Sequence, residues 1–274
     1  MNLFSVDRES CKQDGICAAV CPTGVISFQK GGYPAPVDDA ENMCIGCGHC
    51  VAACSTGSLS HREVAVGQCP PIRKELHLSA EHCEHFLRSR RSIRVYKSEP
   101  VARADISKLI EIARYAPSGH NCQCVEWLVF DKREEIHRLA GIVADWMRFV
   151  VDTMPEESDL SRYMGKVLKN WEKGNDVILR NAPVLIVTHA EVGNRMAPSS
   201  CTLALSYLEL AATSMGLGSC WAGYLMVAAT TFPPLKEALC LPKSHVCHGG
   251  MMVGYPKFSY HRLPARKPPS ITWR

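Results

Sequence analysis

No stretch of this chain is apolar for long. Its hydrophobic runs fall well short of the roughly 20 residues a membrane-spanning helix needs. The opening residues, Met1 to Cys11, lack the basic start and apolar core of a secretory signal. A cytoplasmic protein with no membrane contact is therefore expected. Other absences narrow the chemistry. No Gly-x-Gly-x-x-Gly follows a predicted strand, so a Rossmann-type nicotinamide site is not expected. There is no zinc-protease motif and no Ser-His-Asp pattern. No basic stripe with interleaved aromatics suggests nucleic acid. Hydrophobic residues make up 46% of the 274 and charged residues 21%, ordinary values for a globular protein.

What the chain does have is cysteine, 15 in all. Seven fall in two tight clusters before residue 55. Disulfides between cysteines two residues apart are hard to close without strain, so this spacing argues for metal. The first cluster runs Cys11, Asp14, Cys17, Cys21; the second runs Cys44, Cys47, Cys50, Cys54. They align at a constant offset of 33 residues, with Asp14 falling on Cys47, and Pro22-Thr23-Gly24 matching Ser55-Thr56-Gly57. This is an internal duplication. The second cluster has the spacing of bacterial two-cluster ferredoxins, in which three cysteines hold one cluster and the fourth reaches across to the other. Soft thiolates suit iron–sulfur centres. Structural zinc, the rival, takes four ligands and fits two interleaved runs less well. Carried over onto this sequence, Cys44, Cys47, Cys50 and Cys21 hold one 4Fe-4S cluster, and Cys11, Cys17 and Cys54, with Asp14, surround the other. Asp14 stands where the pattern has cysteine. Three outcomes are open there: the carboxylate ligates the fourth iron, a water or hydroxide does, or the site holds a 3Fe-4S cluster. A four-iron cluster with Asp14 on or beside the iron is the expectation carried forward.

Charge is unevenly placed. Residues 1–63 hold 4 Lys/Arg against 7 Asp/Glu, and residues 64–274 hold 27 against 20. A mildly acidic first part suits a module that meets redox partners, and a basic second part suits a phosphorylated cofactor. The domain reading is 1–63 for the iron–sulfur module, 64–80 for a linker broken by Cys69-Pro70-Pro71, and 81–274 for a second domain. There, residues 105–116 place Ile106, Leu109, Ile110 and Ala113 on one helical stripe. Residues 125–131 read as a strand. A second helix, 133–150, turns Ile136, Leu139, Val143, Trp146, Met147 and Val150 inward. Pro183 opens a buried strand over 184–188, a helix covers 199–215, and a last strand runs through Met251, Met252 and Val253. The order suggests an α+β domain with a sheet inside helices.

Three segments of this domain carry a resemblance: Arg90-Arg91-Ser92-Ile93-Arg94; Ala116-Pro117-Ser118-Gly119-His120-Asn121-Cys122-Gln123; and Gly216-Leu217-Gly218-Ser219-Cys220-Trp221-Ala222-Gly223, with Gly254-Tyr255-Pro256 and Arg266-Lys267-Pro268 behind it. In order and spacing they resemble the FMN-binding elements of the nitroreductase superfamily over residues 85–270. With the first module included, the chain resembles ferredoxin-fused nitroreductase-like proteins. The resemblance implies a ferredoxin-like domain followed by a central, mainly antiparallel sheet surrounded by helices. It implies FMN beside two iron–sulfur clusters, in a homodimer whose tail wraps the partner.

The chemistry of the residues agrees. Arg90, Arg91 and Ser92 offer forked donors and a hydroxyl for a phosphate. Arg94 sits where the family places a cation near the flavin N1–C2 edge. Pro117 opens a turn whose Ser118, Asn121 and Gln123 suit the ribityl chain and ring edge. The Trp221-Ala222-Gly223 backbone offers an N–H to N5, and Arg266 or Lys267 completes the phosphate site. Cys124 departs from the proline family members often carry, and Cys122 and Cys220 read either as small hydrophobes or as thiols facing substrate. Residues 152–180 are expected to form a mobile cover, with Tyr163 or Trp171 shaping substrate choice. The function implied is electron transfer from reduced ferredoxin or a nicotinamide, through the clusters to FMN, and on to a small nitroaromatic, quinone or enone acceptor. The alternative is a non-catalytic relay or redox sensor.

Overall fold

The computed structural model describes residues 2–155 and 158–274. The chain divides into two compact units, Met1–His77 with His120–Cys122, and Leu78–Gly119 with Gln123–Arg274.

The first unit contains β1 (Phe4–Val6), α1 (Ile16–Ala19), β2 (Ile26–Ser27), β3 (Ala35–Pro36), α2 (Ala40–Met43), α3 (His49–Ala52) and β4 (Leu59–His61). β1 pairs antiparallel with β4, and β2 with β3. The duplication is visible in the backbone. α1 and α3 lie 33 residues apart, and each follows a glycine, Gly15 and Gly48, at φ of 72° and 71°. That left-handed conformation favours glycine, and at Gly15 a Cβ would also stand 2.5 Å from the Phe28 ring. The buried core is small: Leu3, Phe4, Val25, Ile26, Ala40, Val51 and Leu59. Cys17, Cys21, Cys44, Cys50 and Cys54 pack against it, so the thiols are part of the unit's interior. A core this thin generally needs a covalent or metal staple. Within residues 64–80, Val66 and Cys69 also pack on this core, while Ile72, Leu76 and Leu78 are exposed.

The second unit contains α4 (Ala80–Ser89), α5 (Arg103–Ala113), β5 (Glu126–Phe130), α6 (Arg133–Thr153), α7 (Asp159–Glu172), β6 (Val184–Glu191), α8 (Ala197–Ser214), β7 (Gly218–Trp221), α9 (Gly223–Thr231), α10 (Pro233–Leu239) and β8 (His245–Gly254). Its sheet has the order β5-β6-β8-β7, every pair antiparallel. β6 is buried along seven of its eight residues, which explains its unbroken apolar run. α6, α7, α9 and α10 cover one face of the sheet, where Leu185, Val187 and Met252 meet Ile136, Leu139, Val143 and Met147. α5 and α8 cover the other, where Ile186, Met251 and Val253 meet Leu109, Leu205 and Leu208.

The expected stripes on α5 and α6 are the buried faces, except that Ile110 and Val150 are half-buried. Residues 152–180, expected as a cover over the pocket, do line a cavity of this unit, Leu160, Tyr163 and Arg180 among them, but as part of its packed wall. They carry α7, whose Met164, Val167 and Leu168 are built into the core against α6. The charges that suggested a cover lie on the opposite face of an amphipathic helix. Glu156 and Glu157 of that expected cover lie outside the described residues.

Candidate functional site

The eight candidate cluster ligands gather in two sets. Cys21, Cys44, Cys47 and Cys50 line one small cavity. Cys11, Asp14, Cys17 and Cys54 line another. Each set joins residues from both repeats, because the last cysteine of each run crosses to the other. Among the described residues, none of these cysteines belongs to a group of three whose ligand atoms lie within 4.8 Å of one another. A tetrahedral zinc, with Zn–S of about 2.3 Å, needs sulfurs about 3.8 Å apart. Four ligands gathered from both repeats in each set fit a cubane, whose thiolates cap separate irons.

Local hydrogen bonds tune the thiols. Burial opposes ionisation of Cys21 and Cys54, but donors outweigh it. Backbone N–H groups after Cys21 and the Thr23 hydroxyl hold Cys21 below the ordinary thiol value. The hydroxyls of Ser58 (3.2 Å) and Thr56 (3.6 Å) bring Cys54 down to about 7. Thr23 and Thr56 are the same position in the two repeats. Burial instead pushes Cys17 up, and Cys50 to about 11, with neighbouring thiols adding to both. Asp14 spends one carboxylate oxygen accepting the Ile16 N–H at 3.1 Å, an Asx turn into α1. His61, absent from the sequence reading, is buried and contacts Cys44 Sγ through Nε2 at 3.4 Å. Asn121 belongs to this unit. Its amide donates to the carbonyls of Ile45 and Gly46 in the cysteine loop, at 3.1 and 3.2 Å.

In the second unit a cleft of about 770 Å³ opens on β7 and the start of α9, within the range of cofactor pockets. Arg94, Cys220, Trp221 and Gly223 line it, with Trp146 and Phe149 of α6 on its apolar side. The Arg90–Arg94 segment is fixed beside β7: Ser92 bridges Ser219, and the Ile93 N–H donates to the Ser219 carbonyl at 2.8 Å. That contact requires Gly218, where a Cβ would meet the Ile93 side chain at 2.5 Å. Arg90 leaves the segment to pair with Glu209 of α8 at 2.8 Å. Arg91 lies 5.8 Å from the ring centre of Tyr260 in the tail. Ser118 closes its turn by accepting the Gln123 N–H at 3.1 Å. Pro117 and Gln123 are exposed, and Ala222 is buried at the head of α9. Arg266 and Lys267 sit in exposed irregular chain and are not among the residues lining the cleft.

Arg180 and Tyr224 are among the residues of the cleft that escape sequence reasoning. Arg180 is carried into it by a loop organised on Asp176, whose carboxylate accepts the N–H groups of Ile178, Leu179 and Asn181 at 2.8–2.9 Å. Tyr224 meets Tyr163 hydroxyl to hydroxyl at 2.6 Å across the cleft wall. Burial, then the Tyr163 hydrogen bond, pushes Tyr224 up to about 12, so it is a neutral phenol at physiological pH. Trp171, the other substrate-contact candidate, stacks on His137 instead, with ring centres 4.8 Å apart. Cys220 is buried, and burial raises its thiol above the ordinary value.

A thiol-lined unit joined to a sheet unit with a cationic, aromatic cleft defines a modular oxidoreductase. The chain belongs to the nitroreductase family, whose model matches residues 87–255, and residues 3–55 match a 4Fe-4S dicluster domain. It is 25% identical over 180 residues to a putative NADH dehydrogenase/NAD(P)H nitroreductase of Archaeoglobus fulgidus, covering 65% of this chain and 87% of the other. In fold it is similar to a nitroreductase with bound FMN from Bacteroides fragilis (TM-score 0.55, 21% identity, 69% of this chain and 96% of that one). It is likewise similar to one with bound FMN from Desulfitobacterium hafniense (TM-score 0.56, 20% identity, 69% and 96%). Among the described residues no helix is long and apolar enough to cross a membrane.

Proposed function

We propose that the chain is an FMN-dependent oxidoreductase whose iron–sulfur unit passes electrons, from reduced ferredoxin or a nicotinamide, to FMN in the second unit for reduction of a small nitroaromatic, quinone or enone acceptor. The observation that carries this reading is the cleft itself. It combines two guanidiniums, Arg94 and Arg180, with flat apolar walls, and its volume leaves space for a ring system. When bound, FMN supplies the exchange between one- and two-electron chemistry and the hydride equivalent.

The protein's part is binding and charge. Arg94 stabilises negative charge at the flavin N1–C2 edge. Arg90, Arg91 and Ser92 take the phosphate, helped by Arg266 or Lys267 of the tail. Pro117, Ser118 and Gln123 form the turn for the ribityl chain and ring edge, while Asn121 keeps its amide on the Ile45 and Gly46 carbonyls. The Trp221-Ala222-Gly223 backbone faces N5. Tyr163 and Tyr224 orient the acceptor and keep the wall dry. Cys21, Cys44, Cys47 and Cys50 hold one 4Fe-4S cluster; Cys11, Cys17, Cys54 and Asp14 hold the second, in which the carboxylate makes one iron more labile than thiolate would. Exposed Phe258, Tyr260, Ile271 and Trp273 in the tail favour a homodimer in which the tail covers the partner. Reduced thiols in this number fit the cytoplasm.

The test is anaerobic purification with iron and FMN quantified, followed by turnover of a nitroaromatic, a quinone and an enone. Flavin-loaded protein that turns over at least one of them, with Arg94→Ala strongly impaired, is the expected result. Protein that folds but takes no flavin would end the proposal. Loaded protein that reduces none of the three, yet exchanges electrons quickly with a partner protein, would make it a relay.

A further inference from the structure

One cluster of ligand-type side chains in the second unit lies outside the cleft. Glu126 stands directly opposite His189 in the β5–β6 register, so the two share a face of the sheet. His245, on β8, is registered with Glu191, two residues beyond His189, which puts it on that same face one strand further along. Neighbouring strands lie about 4.8 Å apart, so three strands present a carboxylate and two imidazoles side by side. Their ligand atoms all fall within 4.8 Å of one another. The His189 and His245 Nδ1 atoms are 2.9 Å apart, and His245 Nε2 is 3.8 Å from the Glu126 carboxylate.

Two further features bear on this end of the sheet. The register slips between Thr188 and His189: Thr188 faces Gly249 but His189 faces Cys247, leaving His248 as the extra residue of a β-bulge. Bulges re-aim side chains and recur at functional sites. Among the described residues, His248 Nε2 is buried with no hydrogen-bond partner. His189 itself is only 6% exposed.

We propose that Glu126, His189 and His245 bind one zinc ion, which takes the place of the hydrogen bond between the two imidazoles and clips β5, β6 and β8 together. Two imidazoles and a carboxylate are a nitrogen–oxygen donor set suited to zinc, and unlike the thiol sets they have no preference for iron–sulfur centres. The ion leaves a further coordination position for water.

The test uses the anaerobically purified, cluster- and flavin-loaded protein, dialysed against buffered Zn2+ with metals then counted by mass spectrometry. One zinc per chain is expected in addition to the iron. Zinc-edge X-ray absorption should show a nitrogen/oxygen shell at about 2.0 Å with imidazole scattering. His189→Ala, His245→Ala and Glu126→Gln should each weaken zinc retention at least about tenfold, with iron and flavin content unchanged. Should the buried His189→Ala fail to fold, the other two substitutions decide the matter. No retained zinc, a sulfur shell at about 2.3 Å, or undiminished zinc in the variants would overturn the proposal.

Discussion

His61 Nε2 stands 3.4 Å from Cys44 Sγ while its Nδ1 accepts the backbone N–H of Glu63 at 3.1 Å. The second contact fixes the tautomer: Nδ1 is the acceptor, so the proton sits on Nε2 and points at the sulfur. An N–H directed at a cluster thiolate spreads its negative charge and favours the reduced state.

His61→Leu should therefore lower the midpoint potential of one cluster and leave the other where it is. An EPR-monitored redox titration separates the two. Equal movement of both signals, or of neither, would contradict the assignment of His61 to the Cys21, Cys44, Cys47 and Cys50 set.

Gly218→Ala places a methyl 2.5 Å from Ile93. Ile93 is buried and cannot yield without moving the Ser92–Arg94 backbone, which is held to β7. Overpacking of this kind costs about 1–3 kcal/mol. Denaturant unfolding should show that loss, and flavin content should fall with it. A stable variant with full flavin would mean that the Arg90–Arg94 segment is not positioned by this contact.

Among the described residues, Arg90 and Glu209 form the least exposed ion pair between distant segments, with side chains 23% and 11% exposed. Removing Arg90 strands a nearly buried carboxylate. Arg90→Ala should cost about 1–3 kcal/mol, less than a fully buried pair would because part of the site is hydrated. Glu209→Gln should cost less and retain flavin, since Arg90 then remains free for an anion. Melting temperature and flavin occupancy of the two variants check the order.

His189 and His248 are held below the ordinary histidine value by burial. The unfolded chain binds their protons more readily than the folded one, so stability is full above about 6.5 and falls as pH drops below it. In chelator-treated protein, thermal stability should decline on acidification from neutral pH. The decline should flatten in the His189→Asn, His248→Asn double variant. An unchanged slope would place the titrating groups elsewhere.

Much of this was legible in the chain. The 33-residue offset carries both the cysteine pairing pattern and the repeated glycine-led helices, because a duplicated loop repeats its backbone needs along with its ligands. The stripe on α6 was readable because one face of that helix meets the sheet and the other meets solvent. The missing parts depend on contacts between segments distant in sequence. His61 reaches Cys44 only once β4 is laid beside β1. Arg180 reaches the cleft only because Asp176 folds its loop, and Asp176 to Asn181 read in isolation as an ordinary turn. The charge-rich stretch after residue 152 suggested a cover because polar residues outnumber its few apolar ones. Yet Met164, Val167 and Leu168 recur at helical spacing and are what anchor α7.

The most direct test mixes reduced ferredoxin anaerobically with flavin-loaded protein and follows the flavin absorbance. If electrons travel through the thiol-bound irons, the wild type will bleach rapidly. Cys47→Ser protein that retains its flavin will bleach slowly or not at all. Equal bleaching rates in the two would contradict an electron path through the iron–sulfur unit.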